Sequence, residues 1–453
     1  MKVLLISANT LTAPYPVYPL GLDYVAHAIR PHHEVMTVDM NVTELKDLKT
    51  IISHFAPDII GLSLRNVDNT DHTDPASYAS DYRELADAIR SCTDAPLVLG
   101  GSGFTIFPSA MLRFLKADYG IIGEGERLGL LLDALEDQGS IKNALEHSIP
   151  GVITPETGEQ IPPPWEGQFK RYFEGQTARV EYYLKKGGML NLQTKRGCNF
   201  HCIYCTYPHI EGRKLRLISP EKVADTARML EDQGAKYLFI TDSAFNAHES
   251  HSMDVARAFI KAGVSVPWGA FFAPVKPANE YYHLMADAGL THVEFGTESL
   301  SDPVLKAYRK PFKTRDVLSA HEDALSAGLH TAHYILPGGP GETKDTLKET
   351  LSNIDKLAQT VLFFFCGMRI YPHTELHEIA VRENRIRPDQ NLLEPVFYES
   401  EAIGPDEIMQ KVKDHAQGRV NWIIGAGGED TARIISKMYD RGHTGPLWEH
   451  LIK

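Results

Sequence analysis

The chain has 453 residues, 43% hydrophobic and 23% charged, and carries a formal net charge of −13. That length supports two or three domains with full cores, while the acidic balance argues against non-specific nucleic-acid binding, which needs a basic surface. The longest apolar runs, 3–6 and 361–365, are strand length and far short of a membrane span.

A secretory signal is not expected, because the short apolar stretch after Lys2 reads better as a first strand. Five cysteines occur, and three fall within eight residues, from Cys198 to Cys205. A disulfide framework would scatter them in pairs, so the usage fits a reducing cytoplasm, with Cys92 and Cys366 as packed thiols.

Residues 1–140 alternate strand and helix in the rhythm of a doubly wound sheet. Strands are predicted at 2–7, 34–39, 58–63, 96–100 and 119–122, and helices at 20–30, 43–55, 78–90, 108–115 and 127–136. The fold class is therefore α/β, beginning with a Rossmann-like sheet whose ligands sit outside the carboxyl ends of the strands. Those ends are rich in loop residues. They include Leu20 and Gly21; Ser63, Leu64, Arg65 and Asn66; Gly100, Gly101, Ser102 and Gly103; and Gly123, Glu124, Gly125 and Glu126.

Residues 141–187 break the rhythm. The run Ile161-Pro162-Pro163-Pro164-Trp165 cannot continue a helix, and the segment reads as a connector. Over 188–375 a second series follows, with strands at 189–194, 237–241, 266–272, 291–296, 331–336 and 361–370. Helices lie between, as at 220–233, where Val223, Ala227 and Leu230 share one face. Six such units imply a partial (β/α)6 barrel, an open relative of the eight-unit barrel. Residues 376–453 form a small C-terminal region whose architecture the sequence does not indicate.

The most specific signal is Cys198-Asn-Phe-His-Cys202-Ile-Tyr-Cys205, on a loop at the carboxyl end of the first barrel strand. Three thiolates at this spacing can hold three irons of a cubane cluster and leave the fourth iron open. The alternative is zinc, with His201 or His209 as a further ligand, although zinc loops pair one close doublet with a distant second and none is present.

This spacing, with Tyr204 before the last cysteine, resembles the radical SAM superfamily. The resemblance implies a [4Fe-4S] cluster on Cys198, Cys202 and Cys205 whose open iron chelates S-adenosylmethionine (SAM). One electron, from a donor such as flavodoxin or ferredoxin, then yields a deoxyadenosyl radical. It also implies SAM contacts from Tyr204, from Asp242 and Asn246 after the second barrel strand, and from Glu298 and Ser299 after the fourth. Gly338-Gly-Pro-Gly-Glu-Thr343 matches a family turn, and Arg369-Ile-Tyr-Pro-His-Thr374 resembles another, in which relatives often have Gly where His373 stands. Asp242 can equally cap a helix, and Glu342 and Thr343 can equally start one.

A Rossmann-like domain ahead of such a barrel resembles the cobalamin-dependent branch of the superfamily, through Tyr18-Pro-Leu-Gly-Leu22, Gly100-Gly-Ser-Gly103 and residues 117–126. The resemblance implies cobalamin bound by the strand-end residues of the first sheet named above. A dinucleotide is disfavoured, because no glycine cluster of the required pattern follows the first strand. No Asp-x-His-x-x-Gly occurs, so cobalt is expected to lack a protein imidazole, with Leu64, Arg65 and Asn66 beneath the corrin. Arg65 has no lone pair to donate to cobalt, and it can equally form a salt bridge or contact a cobalamin side chain. Glu124 and Glu126 can equally start a helix, and His248 and His251 read as a helix start rather than a metal site.

By this resemblance the chain is an enzyme that methylates an unactivated carbon of a small-molecule, pigment or lipid substrate. The alternative keeps the same cofactors for cyclisation, ring contraction or C–C bond formation without net methyl transfer. A non-enzymatic cobalamin carrier fits poorly with an intact cysteine motif. Trp268, Phe271, Phe272 and the aromatics of 363–365 are expected to be barrel core, with an apolar substrate pocket as the other reading.

Overall fold

The computed structural model describes residues 1–12, 14–138, 149–167, 169–425 and 428–452. The domain boundary expected near residue 140 lies outside the described residues. The first sheet contains β1 (Lys2–Ser7), β2 (Glu34–Asp39), β3 (Ile59–Ser63), β4 (Leu97–Gly100), β5 (Tyr119–Ile121) and β6 (Val152–Ile153). Its order is β2-β1-β3-β4-β5-β6, parallel except for β6, which joins β5 antiparallel. Helices cover both faces, so β1 is apolar without alternation: Val3, Leu4, Leu5 and Ile6 are all buried. The strand order reverses between β1 and β3, and sheets of this kind bind ligands at that reversal.

The second sheet holds the six expected strands, β7 (Met189–Leu192), β10 (Tyr237–Ile240), β11 (Trp268–Phe272), β12 (Leu290–Glu298), β13 (His330–Ile335) and β14 (Thr360–Phe364). Two short strands, β8 (Lys195–Arg196) and β9 (Arg216–Leu217), pair between β7 and β10 in sequence. A seventh main strand, β17 (Trp422–Ile424), comes from the C-terminal stretch and extends the sheet beside β14. The order is β17-β14-β13-β12-β11-β10-β7, all parallel. The strand expected over 361–370 is split. Gly367, at φ +78°, turns the chain, so β15 (Met368–Arg369) leaves the barrel and pairs with β16 (Phe397–Tyr398).

Alternation along the barrel strands divides the aromatics. Trp268, Phe272, Phe295 and Phe364 are at most 1% exposed and pack outward against helices. Phe271, Tyr334, Phe363 and Phe365 have the opposite parity and face the lumen, where they stay partly accessible. The turn Trp448–Leu451 plugs the amino-terminal end, with Trp448 packed on Ala332 and Val361. One apolar cluster joins the two sheets, since Ile203 of the cysteine loop, Tyr308, Leu376 and Tyr398 share a core with Leu62 and Leu99.

Behind the barrel strands lies a chain of neutral histidines. Thr297 lies 2.7 Å from Nδ1 of His333, Nε2 of His333 lies 3.1 Å from Nδ1 of His321, and Nε2 of His321 lies 2.9 Å from the Ala358 carbonyl. Burial lowers the His321 pKa to about 4 from an ordinary 6.5. The unfolded chain therefore binds the extra proton first, and stability falls as pH drops from about 6.5 toward about 4. Between pH 7 and pH 5 the loss from this site should be about 2 kcal/mol. His321→Gln should flatten the dependence of the unfolding midpoint over that interval; a variant with the wild-type slope would remove the histidine from the account.

Candidate active site

The cysteine loop is shaped by backbone before any metal is considered. Gly197 sits at φ +88°, and a Cβ there would run into the Lys214 carbonyl. The Cys198 amide donates to Gly212 at 3.1 Å, the Ile203 amide to Tyr308 at 3.3 Å, and the Leu376 amide to Ile203 at 2.8 Å. Cys198 is buried, and Cys202 and Cys205 are partly buried. Burial pushes the Cys205 thiol up to about 12, and the neighbouring Cys202 and Cys198 add to that. The donor set fits a cubane. Three free thiols on one loop match a cubane, which takes one thiolate at each of three corners and leaves the fourth iron open.

Beside the loop, a bulge in β12 between Gly296 and Glu298 re-aims Glu298, which holds φ +60°. Tyr204 donates to Glu298 at 2.7 Å, and Lys310 lies 2.6 Å from the other carboxylate oxygen. Burial alone would lower the pKa of Lys310, but Glu298 and Cys202 hold it up. Tyr204, Glu298 and Lys310 thus place a carboxylate, a phenol and an ammonium against the cluster loop. A zwitterionic ligand such as the methionine end of SAM carries both charges and would bind here by exchanging partners with the Glu298–Lys310 pair.

The other expected SAM residues each have protein partners. Asp242 is 1% exposed and ion-paired to Lys195 at 2.8 Å. Asn246 spends its amide on the backbone of Ala273, and Ser299 bonds Thr350 at 2.9 Å. Each shapes a strand-end loop by its own contacts. His248 caps the helix Glu249–Ala262, and Thr343 caps Lys344–Ile354. His373 sits at φ +61°, which explains why the resembling turn favours Gly there.

Between the sheets lies a cavity of about 470 Å³. Eleven of the expected strand-end residues line it: Leu20, Gly21, Ser63, Arg65, Gly100, Gly101, Ser102, Gly123, Glu124, Gly125 and Glu126. Leu64, Asn66 and Gly103 do not. Leu64 is buried in the core, the Asn66 carbonyl accepts from Tyr82, and Gly103 packs on the backbone of Leu64 and Arg65. A Cβ at Gly21 or Gly100 would meet nothing within 4 Å, so these glycines leave flat, open floor. At the β1/β3 reversal, Asn9 is 3% exposed with neither amide atom partnered. Arg65 lines the cavity there with its side chain open to it. Orphaned polar groups over a glycine floor fit a large flat ligand edged with amides, as a corrin is.

Glu124 and Glu126 line the cavity, but their carboxylates are committed. Arg196, two residues before Cys198, lies 3.1 Å from Glu124 and 2.7 Å from Glu126, and Arg216 lies 2.6 Å from Glu124. This buried network fastens the first sheet to the cluster loop. Sequence reasoning missed Lys310, Arg196, Arg216 and Asn9. Arg196 adjoins the cysteine motif and could have been noticed, whereas the roles of Lys310 and Asn9 come from long-range packing.

Residues 192–354 match the radical SAM superfamily, and residues 6–130 match the B12 binding domain. The chain is 24% identical to tryptophan 2-C-methyltransferase of Streptomyces laurentii, over 83% of this chain and 73% of that protein. It is 23% identical to hopanoid C-3 methylase of Methylococcus capsulatus, over 95% of this chain and 82% of that protein. The solved structure of the radical SAM methyltransferase TsrM from Kitasatospora setae superposes with a TM-score of 0.87 at 23% identity, covering 99% of this chain and 97% of that one, and shows the same fold. Among the described residues, no helix is long and apolar enough to cross a membrane. With a B12 binding domain ahead of the cysteine-bearing barrel on one polypeptide, the chain belongs to the cobalamin-dependent branch of the radical SAM superfamily.

Proposed function

We propose that this protein is a cobalamin-dependent radical SAM enzyme that methylates an unactivated carbon of a small-molecule or lipid substrate. The observation that carries this reading is the shared cavity. The strand ends of the first sheet and the barrel residues Asn191, Gln193, Thr241 and Phe271 line one continuous space. Cobalamin bound there would supply the methyl group, and a cluster and SAM held at the adjoining cysteine loop, which follows the cavity-lining Gln193 and Arg196, would supply a hydrogen-abstracting radical, with an electron from a donor such as flavodoxin or ferredoxin.

The chain's own residues orient and shield. Cys198, Cys202 and Cys205 hold the cluster, while Glu298, Lys310 and Tyr204 position SAM beside it. Gly21 and Gly100 would let the corrin lie close, Gly101 lets the strand-end turn pack on Leu64, and Arg65 would face the corrin without offering a lone pair. The Arg196 network fixes the two sheets, so that one substrate carbon can face both cofactors, and such positioning makes capture efficient. Relatives that act on tryptophan and on a hopanoid support methyl transfer as the outcome.

Incubation with methyl-labelled SAM and candidate extracts tests the reading by mass analysis. A substrate gaining one labelled methyl group is expected, with S-adenosylhomocysteine, deoxyadenosine and product in roughly equal amounts. Substrate-dependent deoxyadenosine without methyl gain would favour cyclisation instead.

A further inference from the structure

The cluster loop keeps one edge at the surface. Cys198 is buried and Cys202 and Cys205 are partly buried, yet Asn199 and His201, which lie between the first two cysteines, are exposed. Phe200, between them, packs inward on the barrel core. The rim is therefore one residue along the chain from Cys198 and one from Cys202.

That rim is basic in a chain whose net charge is −13. Over 197–217 the exposed charged side chains are Arg213 and Lys214. The Arg213 guanidinium donates to the Phe200 carbonyl at 3.1 Å and lies 3.0 Å from Nδ1 of His201. Lys214 reaches Glu166 at 3.7 Å, but the two are 73% and 81% exposed, and a pair so open to water is weak. Glu211 is turned inward, to the Gly197 amide and Gln193, and Glu375 is answered by Arg309 at 2.6 Å.

An electron carrier must bring its redox centre near the cluster, and the rim is where the protein is thin over two of the cysteines. Opposite charge orients such an encounter and speeds it. A carrier of opposite sign to this rim is acidic, and the acidic balance of the rest of the chain would repel it elsewhere. We propose that the 199–201 rim, with Arg213 and Lys214, is the docking surface for an acidic protein that carries one electron. The carrier loses one electron and the cluster gains it, and no bond or proton moves. This rests on the reading that the cluster works by one-electron reduction.

The test uses the full chain, with cluster and cobalamin loaded anaerobically, and flavodoxin as the probe. Titration calorimetry gives the affinity for oxidised flavodoxin, and stopped-flow absorbance of the cluster gives its rate of reduction by flavodoxin hydroquinone. Both should fall about tenfold between about 50 and 500 mM salt. Arg213→Glu with Lys214→Glu should lower both about tenfold, while reduction by dithionite, which needs no docking, stays within about twofold of wild type. Lys46→Glu with Lys185→Glu changes the net charge equally at other exposed sites and should leave affinity and rate near wild type. Should the Arg213 variant lose iron, Lys214→Glu alone decides. Unchanged affinity and rate in the rim variants, or an equal loss in the Lys46 and Lys185 variant, would overturn the assignment. The labelled-SAM assay is read separately. No methylated product with the docking pattern intact would defeat methyl transfer and leave the surface standing, while methylated product with the pattern absent would do the reverse.

Discussion

Replacing any one of Cys198, Cys202 or Cys205 with Ala should reduce deoxyadenosine formation from SAM to the uncatalysed background, while the fold survives. The anaerobically loaded wild type should hold about four irons, and each variant fewer. Two thiolates cannot occupy three corners of a cubane, and a displaced corner removes the geometry that leaves one iron open. The fold should survive because the loop is held by hydrogen bonds from Cys198 to Gly212, Ile203 to Tyr308 and Leu376 to Ile203, none of which uses a thiol. Circular dichroism and iron content measured on the same preparation separate loss of cluster from loss of structure. SAM cleavage at the wild-type rate in a single-Ala variant would remove that cysteine from the ligand set.

Local pattern made most of the fold readable. The short apolar runs ending in glycine-rich turns mark β1 to β5, and the loop bearing Cys198, Cys202 and Cys205 follows β7 as its position after an apolar run implies. Strand alternation also separates the lumen-facing Phe271 from the buried Trp268 and Phe272, although composition alone favours core for all of them. β17 was not readable, because three residues carry too little periodicity to distinguish a strand from a loop. The site was legible at its cysteines and glycines, whose chemistry and conformational freedom are local. It was not legible where a charge finds its partner far along the chain. Glu124 meets Arg196 across 72 residues and Asp242 meets Lys195 across 47, and no local rule chooses between those partners and a ligand.

Asp242 shows what that difference means for experiment. Its carboxylate accepts from the Thr194 amide at 2.9 Å, the Thr194 hydroxyl at 2.5 Å and Lys195 at 2.8 Å. Lys195 also donates to the carbonyls of Ala244 at 2.7 Å and Phe245 at 3.3 Å. Both side chains are at most 1% exposed, so removing one partner leaves the other charged and unpaired in the interior. Asp242→Ala and Lys195→Met should each destabilise the protein by about 3–5 kcal/mol. The double variant Lys195→Met with Asp242→Leu should lose less than the sum, because it leaves no uncompensated charge. Unfolding midpoints across this cycle check the claim, and SAM affinity is measured alongside. The loop after β10 bends around the Lys195 ammonium, and Ser243 in it reaches the Gly197 carbonyl at 3.4 Å beside the cluster motif. Weaker SAM binding in the single variants would therefore accompany lost stability. Asp242→Ala with wild-type stability and weakened SAM binding would instead make this carboxylate a direct cofactor contact.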